Sequence, residues 1–335
     1  MKAVIPLAGA GTKLRPHTYT QPKALIPIAG KTILSVIIDQ LLNSGVDEFI
    51  FVIGYLGDKI QDYVTKTYPD LRSHFVHQND RKGTGHAVWL TKDVVADDEI
   101  IIMYGDTICD FDIDRVLHSA SSEAGVRRVD NPGNFGVAEI GTNQVVNRLV
   151  EKPLIPKSNM ALVGIFKIKE TRLLFDTLDY CIENSIGTID DEYHLTEALQ
   201  MMIAKGWKMS AFKVNNWFDC GKKETLLETN AILLKSYIPD SSLKARFPNA
   251  VIVPPVSIAE NCVIENAIIG PNVTIGEHTS IYASIVSNSI IGSYAKLEEV
   301  VLKSSIIGSD AFVRGMSQSL NIGDNTDIDF GNRAQ

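Results

Sequence analysis

The apolar run Ala3-Val4-Ile5-Pro6-Leu7 empties into Ala8-Gly9-Ala10-Gly11-Thr12-Lys13-Leu14-Arg15-Pro16, and Pro22-Lys23 follows. Glycines let a backbone come close to a ligand and leave N–H groups turned outward, an arrangement that cradles anions. Lys13, Arg15 and Lys23 bring three cations to the same short stretch, which fits a polyphosphate better than a lone carboxylate. Two familiar phosphate loops do not match. The dinucleotide fingerprint G-x-G-x-x-G fails at its third glycine, where Leu14 stands. Gly30-Lys31-Thr32 ends like a Walker A loop, but its first glycine is replaced by Leu25.

Four further clusters carry chemistry-bearing residues. Gln78 precedes Lys82-Gly83-Thr84-Gly85-His86-Ala87. An amide can read a base edge by paired hydrogen bonds, and glycines let a flat ring lie against the backbone. Taken alone, the stretch reads equally well as a strand-to-helix turn capped by Thr84. Gly105-Asp106 ends an apolar strand, where an acid suits water or a metal ion better than core. Glu151-Lys152-Pro153 follows Leu149-Val150, and Trp217-Phe218-Asp219-Cys220-Gly221 sets a second acid after an apolar pair.

Up to about residue 235 the pattern alternates strands with helices. Ala3–Leu7, Phe49–Ile53, Phe75–His77 and Ile100–Tyr104 read as strands. Ile33, Ile37, Ile38, Leu41 and Leu42 share one helical face that stops at Gly45. Gly57–Lys66, a stretch from Thr84, Thr171–Asn184 and Glu192–Lys205 are further helices, and β character increases from Gly136. In the last helix Leu195, Leu199, Met202 and Ile203 form an apolar stripe, read as core packing. The alternation predicts a mostly parallel sheet covered by helices. Ligands gather at the carboxyl ends of such strands where the order reverses, so the Gly9–Gly11 loop and Gly105-Asp106 are expected to share one crevice.

After a polar, proline-punctuated bridge (Ser236–Pro255) the rhythm changes. Aliphatic residues recur every sixteen positions: Ile269, Ile285 and Val301; Ile275, Ile291 and Ile307; Ile281, Leu297 and Val313. Gly276, Gly292 and Gly308 each follow the middle set. Such a repeat predicts about three coils of a solenoid, each burying its apolar ladder against its neighbours. It resembles the hexapeptide-repeat domains, which implies a left-handed parallel β-helix. Exposed ends and faces favour a homo-oligomer built through it.

Composition sets outer limits. A chain of 335 residues with 45% hydrophobic and 21% charged residues is ordinary for a globular protein of two or more domains. The formal charge of −8 argues against nucleic-acid or anionic-membrane binding and confines phosphate chemistry to a local basic pocket. Cys109, Cys181, Cys220 and Cys262 have no C-x-x-C spacing, so neither a disulfide framework nor a zinc site is expected. No leader or membrane-length apolar run is evident, and a cytoplasmic protein is expected.

In this order the motifs resemble those of the sugar-1-phosphate nucleotidyltransferases, especially the UTP–glucose-1-phosphate uridylyltransferases and glucose-1-phosphate thymidylyltransferases, over Lys2 to about Leu234. The resemblance implies a Rossmann-like mixed α/β sheet domain over 1–235, a linker over 236–250 and the β-helix over 251–330. It implies that Leu7, Ala8, Gly9, Gly11, Thr12, Lys13, Lys23, Gln78, Gly83, Thr84 and Gly105 bind the nucleoside triphosphate. Asp106 and Asp219 would hold Mg²⁺, while Gly136, Glu151 and Lys152 would take the sugar 1-phosphate. Lys13, Lys23, Asp106, Lys152 and Asp219 carry the implied catalysis. Lys13 stands where the family usually has arginine, whose bidentate fork lysine lacks, and Arg15 is the residue to compensate. UTP, dTTP or a purine nucleotide all remain open, as do glucose, galactose, N-acetylglucosamine and mannose. So do a non-catalytic scaffold role and an acyltransferase role for the β-helix, whose one repeat histidine, His278, reads as a corner residue.

Overall fold

A computed structural model describes residues 1–186, 188–189, 191–236, 240 and 242–315. The predicted end of the β-helix at residue 330 lies outside them. The first strands and helices follow the expected alternation: β1 (Lys2–Pro6), α1 (Ile33–Asn43), β2 (Glu48–Ile53), α2 (Gly57–Thr67), β3 (Arg72–His77), α3 (Gly83–Trp89), β4 (Ile100–Met103) and β5 (Thr107–Asp110). Then come β6 (Glu123–Arg128), β7 (Val137–Ile140), β8 (Val146–Val150), β9 (Met160–Ile168), α4 (Thr171–Glu183), α5 (Leu195–Ala204), β10 (Ser210–Lys213), β11 (Asn216–Asp219) and α6 (Lys223–Lys235).

The main sheet has nine strands, with the path β8-β7-β9-β4-β1-β2-β3, with β6 added beside β9 and β10 beside β6. Strands β4, β1, β2 and β3 run parallel. Strand β9 is antiparallel to β4, β6 and β7, so the sheet is mixed rather than mostly parallel. The reason is local: beyond Gly136 the strands are joined by short connections, which suit antiparallel pairs, not crossover helices.

Side chains alternate across the parallel strands. Ala3 and Ile5, Phe49 and Phe51, and Ile101 and Met103 enter one core, shared with Ile60 and Val64 of α2 and Leu226 of α6. Val4, Ile50, Val52, Ile100 and Ile102 enter the other, against Val88 of α3, Leu174 and Leu178 of α4, and Leu199 and Met202 of α5. Both faces are buried, which explains the near-continuous aliphatic runs. The predicted helix Glu192–Lys205 begins only at Leu195, because Glu192-Tyr193 pairs as a strand with Thr188-Ile189. That extended piece lies so close to Gly83 and Gly85 that a Cβ on either would stand 2.6 or 2.9 Å from the Tyr193 carbonyl oxygen.

The C-terminal part is a short β-helix of the left-handed hexapeptide kind, with twelve short strands in three parallel stacks of four. It therefore has four rungs where the repeat predicted about three. Two of the three predicted ladders are internal: Ile275–Ile291–Ile307 and Ile281–Leu297–Val313 pair in register. The third is shifted by one residue. Ile269 pairs with Val286 and Val286 with Leu302, while Ile285 and Val301 face outward beside Ile268. The corner from Ile269 to Thr274 is one residue longer than that from Val286 to Ile290, because Thr274 pairs with Ile290. Within the predicted linker, the short helix α7 (Leu243–Arg246) buries Leu243 and Phe247 among the β-helix aliphatics.

The β-helix docks on the mixed-sheet body through a polar joint. Asn230 of α6 is fully buried. Its Oδ1 accepts from the Ala29 N–H at 2.9 Å and the Thr274 hydroxyl at 2.7 Å, and its Nδ2 donates to the Asn272 carbonyl at 3.3 Å. Ile290 of the β-helix is buried in the body's own core cluster.

Candidate active site

Strand β1 is flanked by β2 on one side and β4 on the other, so the strand order reverses there and the loops leaving β1 and β4 diverge. A cavity of about 390 Å³ opens at this point. Its lining includes Leu7, Ala8, Gly9, Gly11, Thr12, Lys23, Gln78, Gly83, Thr84 and Gly105, together with Asp106. Of the nucleotide-binding residues expected from sequence, only Lys13 stays outside the lining. Its side chain is exposed, yet its charge reaches Asp219. Arg15 does not turn to the cavity either; its guanidinium lies 4.9 Å from the Tyr19 ring centroid.

The loop after β1 is held from below. The Thr18 hydroxyl donates to the Gly11 carbonyl at 2.8 Å, and the Tyr55 hydroxyl and Lys59 ammonium bond the carbonyls of Tyr19 and Thr20. Lys23, from the same segment, places its ammonium 2.6 Å from Asp106 Oδ2. Asp106 Oδ1 accepts from the Thr107 hydroxyl at 3.2 Å.

Asp219 closes the second side. Strand β11 pairs antiparallel with β5, setting Asp219 opposite Thr107, and the Cys220 N–H donates to the Asp106 carbonyl at 3.1 Å. The two carboxylates are neighbours that titrate in opposite directions. Burial raises Asp106, but the Lys23 ammonium and its hydrogen bond outweigh it, leaving the carboxyl below its ordinary value. Burial and the Asp106 charge push Asp219 above its ordinary value. Two like charges held together, with Lys23 in contact and Lys13 acting only from a distance, form an oxygen donor pair that a hard divalent cation would relieve, so the residues present fit the implied magnesium.

The residues expected from sequence to take the sugar phosphate stand beyond Tyr104. The Glu151 carboxylate is largely buried, 3.7 Å from His194 Nδ1. A Cβ at Gly136 would come within 2.9 Å of Glu151 Oε2 and 3.3 Å of the Thr196 hydroxyl, so the glycine makes room for that carboxylate. Lys152 is exposed and takes a left-handed backbone, φ 40°, while its N–H donates to the Phe135 carbonyl at 3.2 Å. Strained non-glycine backbone of this sort costs about 1–3 kcal/mol and clusters where a side chain must be aimed.

Several lining residues escaped the sequence reading. Tyr104 hydrogen-bonds Thr84 and feels the charges of Glu151 and Asp106, so it joins the two halves of the cleft; burial, foremost, raises its hydroxyl well above the ordinary tyrosine range. Its place directly before Gly105-Asp106 was the available signal. Arg81 and Glu192 line the cavity from a polar loop and from the strand mistaken for a helix start. Thr84 does not cap its own helix: its hydroxyl accepts from the Leu195 N–H at 3.1 Å, satisfying an orphan donor at the start of α5.

A family model described as nucleotidyl transferase matches residues 2–236. The bifunctional protein GlmU of Methanococcus vannielii is 34% identical, over 92% of this chain and 78% of the relative. The glucose-1-phosphate thymidylyltransferase of Streptomyces griseus is 28% identical, over 95% of this chain and 89% of the relative. Against the GlmU of Methanocaldococcus jannaschii, 36% identical, the match spans 61% of that relative. A crystal structure of UDP-glucose pyrophosphorylase with UDP-glucose superposes with a TM-score of 0.61 at 21% identity, over 70% of this chain and 99% of that one.

Proposed function

Since the chain belongs to the nucleotidyl transferase family, we propose that it joins a pyrimidine nucleoside triphosphate, UTP or dTTP, to a sugar 1-phosphate, glucose 1-phosphate first among them. The products would be a nucleoside diphosphate sugar and pyrophosphate. The observation that carries this reading is the convergence, at one strand-order reversal, of the glycine loop, the Lys23–Asp106 pair, Asp219 and the Gln78–Thr84 segment. Tyr104 links that group to Glu151.

In this reading a sugar-phosphate oxygen attacks the α-phosphorus in line, and pyrophosphate leaves. Two anions must approach, so the protein's work is charge neutralisation and positioning. Loop N–H groups and Lys23 steady the triphosphate. Lys152, aimed by its left-handed backbone, orients the attacking phosphate, and Glu151 accepts from sugar hydroxyls. Asp106 and Asp219 would hold Mg²⁺, which supplies neutralisation of the phosphate charges when bound. Lys13, extended in solvent, would reach the departing end of the triphosphate.

We assign the β-helix to assembly. The name bifunctional of the GlmU relatives raises a second activity, but His278 lies exposed at a corner, stacked on Tyr294 at 4.8 Å, and among the described residues no carboxylate pairs with its ring. Outward-facing Val251, Ile268, Ile285 and Val301 stack into one column on a single β-helix face, each between 40% and 77% exposed. Such a column suits the same face of a second copy.

The experiment is pyrophosphate release with magnesium, pairing UTP, dTTP, CTP, GTP and ATP with glucose, galactose, mannose and N-acetylglucosamine 1-phosphates. Turnover with UTP or dTTP is expected. Absence of release in every pairing would favour the non-catalytic scaffold and overturn the reading.

A further inference from the structure

Gln78 directly follows β3, anchored by its N–H on the Ile53 carbonyl at 2.8 Å, and is 5% exposed. Its side-chain nitrogen lies 3.1 Å from the Gly83 carbonyl oxygen, which can only accept, so this amide atom is the NH₂ group. The same nitrogen is 2.9 Å from His86 Nδ1. With one amide proton on Gly83, the other points to the imidazole, and Nδ1 must accept it. His86 therefore carries its proton on Nε2. Burial, with the Lys82 charge adding to it and Asp80 opposing it, holds the His86 pKa below the ordinary histidine value, which favours the neutral ring. The ring is steadied by stacking on Trp89 at 5.6 Å, and the Trp89 indole N–H donates to Asp179 at 2.7 Å.

Both amide protons of Gln78 are thus spent inside the protein. Among the described residues no donor reaches its Oε1, and Gln78 lines the cavity whereas His86 does not. The amide cannot read a base by paired hydrogen bonds, as the sequence suggested. It offers one acceptor.

We propose that His86 is a positioning residue that locks the Gln78 amide with its oxygen toward the base, so that the site selects a base with an imino N–H on its pairing edge. The inference rests on the nucleotide reading of the cavity. Uracil and thymine present N3–H, and guanine N1–H; cytosine and adenine present a lone pair at the equivalent position. A cytosine there would set acceptor against acceptor, and without His86 only the Gly83 carbonyl holds the amide, so turning it over to meet that base sacrifices one contact instead of two.

The test is equilibrium binding of UTP and of CTP, with magnesium, to the full chain and to His86→Leu and His86→Asn. The wild type is expected to prefer UTP by about 100-fold, the order of discrimination reached when a buried polar group would be left unpaired. His86→Leu is expected to shrink that ratio to below about tenfold, mostly by weakening UTP, because the net worth of one such bond is about a factor of ten. His86→Asn, whose side-chain oxygen can take the place of Nδ1, is expected to restore it. An unchanged ratio in His86→Leu overturns the proposal while leaving the nucleotide site intact. Failure of the wild type to bind either nucleotide overturns the site reading itself. Nitrogen NMR of His86 in the unmodified protein needs no variant to fold: the Nε2–H tautomer near neutral pH supports the lock, and an Nδ1–H ring refutes it.

Discussion

Asp106 and Asp219 differ in what neutralises them, and this separates their effects on stability and on chemistry. Asp106 has Lys23 at 2.6 Å and titrates low; Asp219, buried beside a charged neighbour, titrates high. A carboxyl whose folded pKa is raised binds more protons folded than unfolded. Its contribution is complete below the unfolded value, about 3.9, and is lost as pH rises through the folded value. Asp106 works the other way, and its contribution is lost as pH falls through its depressed value. Asp219→Asn is therefore expected to melt higher than wild type at pH 7 without magnesium, the gap closing toward pH 4. Turnover of that variant is expected to fall about 100-fold or more. A variant that melts lower at pH 7 would contradict the like-charge account. Lys152 carries no such stability signal, since it is exposed. Lys152→Ala is expected to cost about 3 kcal/mol of transition-state stabilisation, again about 100-fold in pyrophosphate release, with the melting curve unmoved.

Among the elements, α6 does two jobs. Leu226 enters the body's core, and Asn230 bonds both the Ala29 N–H and Thr274 of the β-helix. Asn230→Leu would strand two buried donors at once. The expected loss is about 2–4 kcal/mol, taking about 1–2 for each unpaired group, and chemical denaturation reads it as a lower midpoint. A change within experimental scatter would mean the joint is solvated in solution. The strand Glu192-Tyr193 has a comparable role on the other face. It lies against Gly83 and Gly85 and leads into His194, which stands 3.7 Å from Glu151, so it ties the Gln78–Gly85 segment to the segment around Glu151. Read as a helix start, that segment had no such function.

For the whole molecule, the β-helix exposes an aliphatic column, and among the described residues no helix is long and apolar enough to cross a membrane. A column of four outward β-branched residues on parallel rungs is a continuous apolar strip, which isolated monomers seldom leave in water. Ile285→Glu sets a charge in the middle of it. Light scattering is expected to show the wild type as an oligomer and the variant as a smaller species, with pyrophosphate release per chain largely kept. A wild type that stays monomeric at high concentration would remove the assembly role.

Local pattern alone marked the parallel strands, the glycine loop that lines the cavity and the solenoid, because aliphatic periodicity and glycine placement are properties of neighbouring residues. It could not decide which way the Ile269–Val286–Leu302 ladder faced, since one added residue at the 269–274 corner reverses inside and outside beyond it. Nor could it find Tyr104, Arg81 or His194, or tell that the Gln78 amide is already half spent on Gly83 and His86. Those depend on which chain segments meet across the cleft. Only the packed fold sets such meetings, because hydrogen-bond partners are fixed by distance in space and not by spacing along the chain.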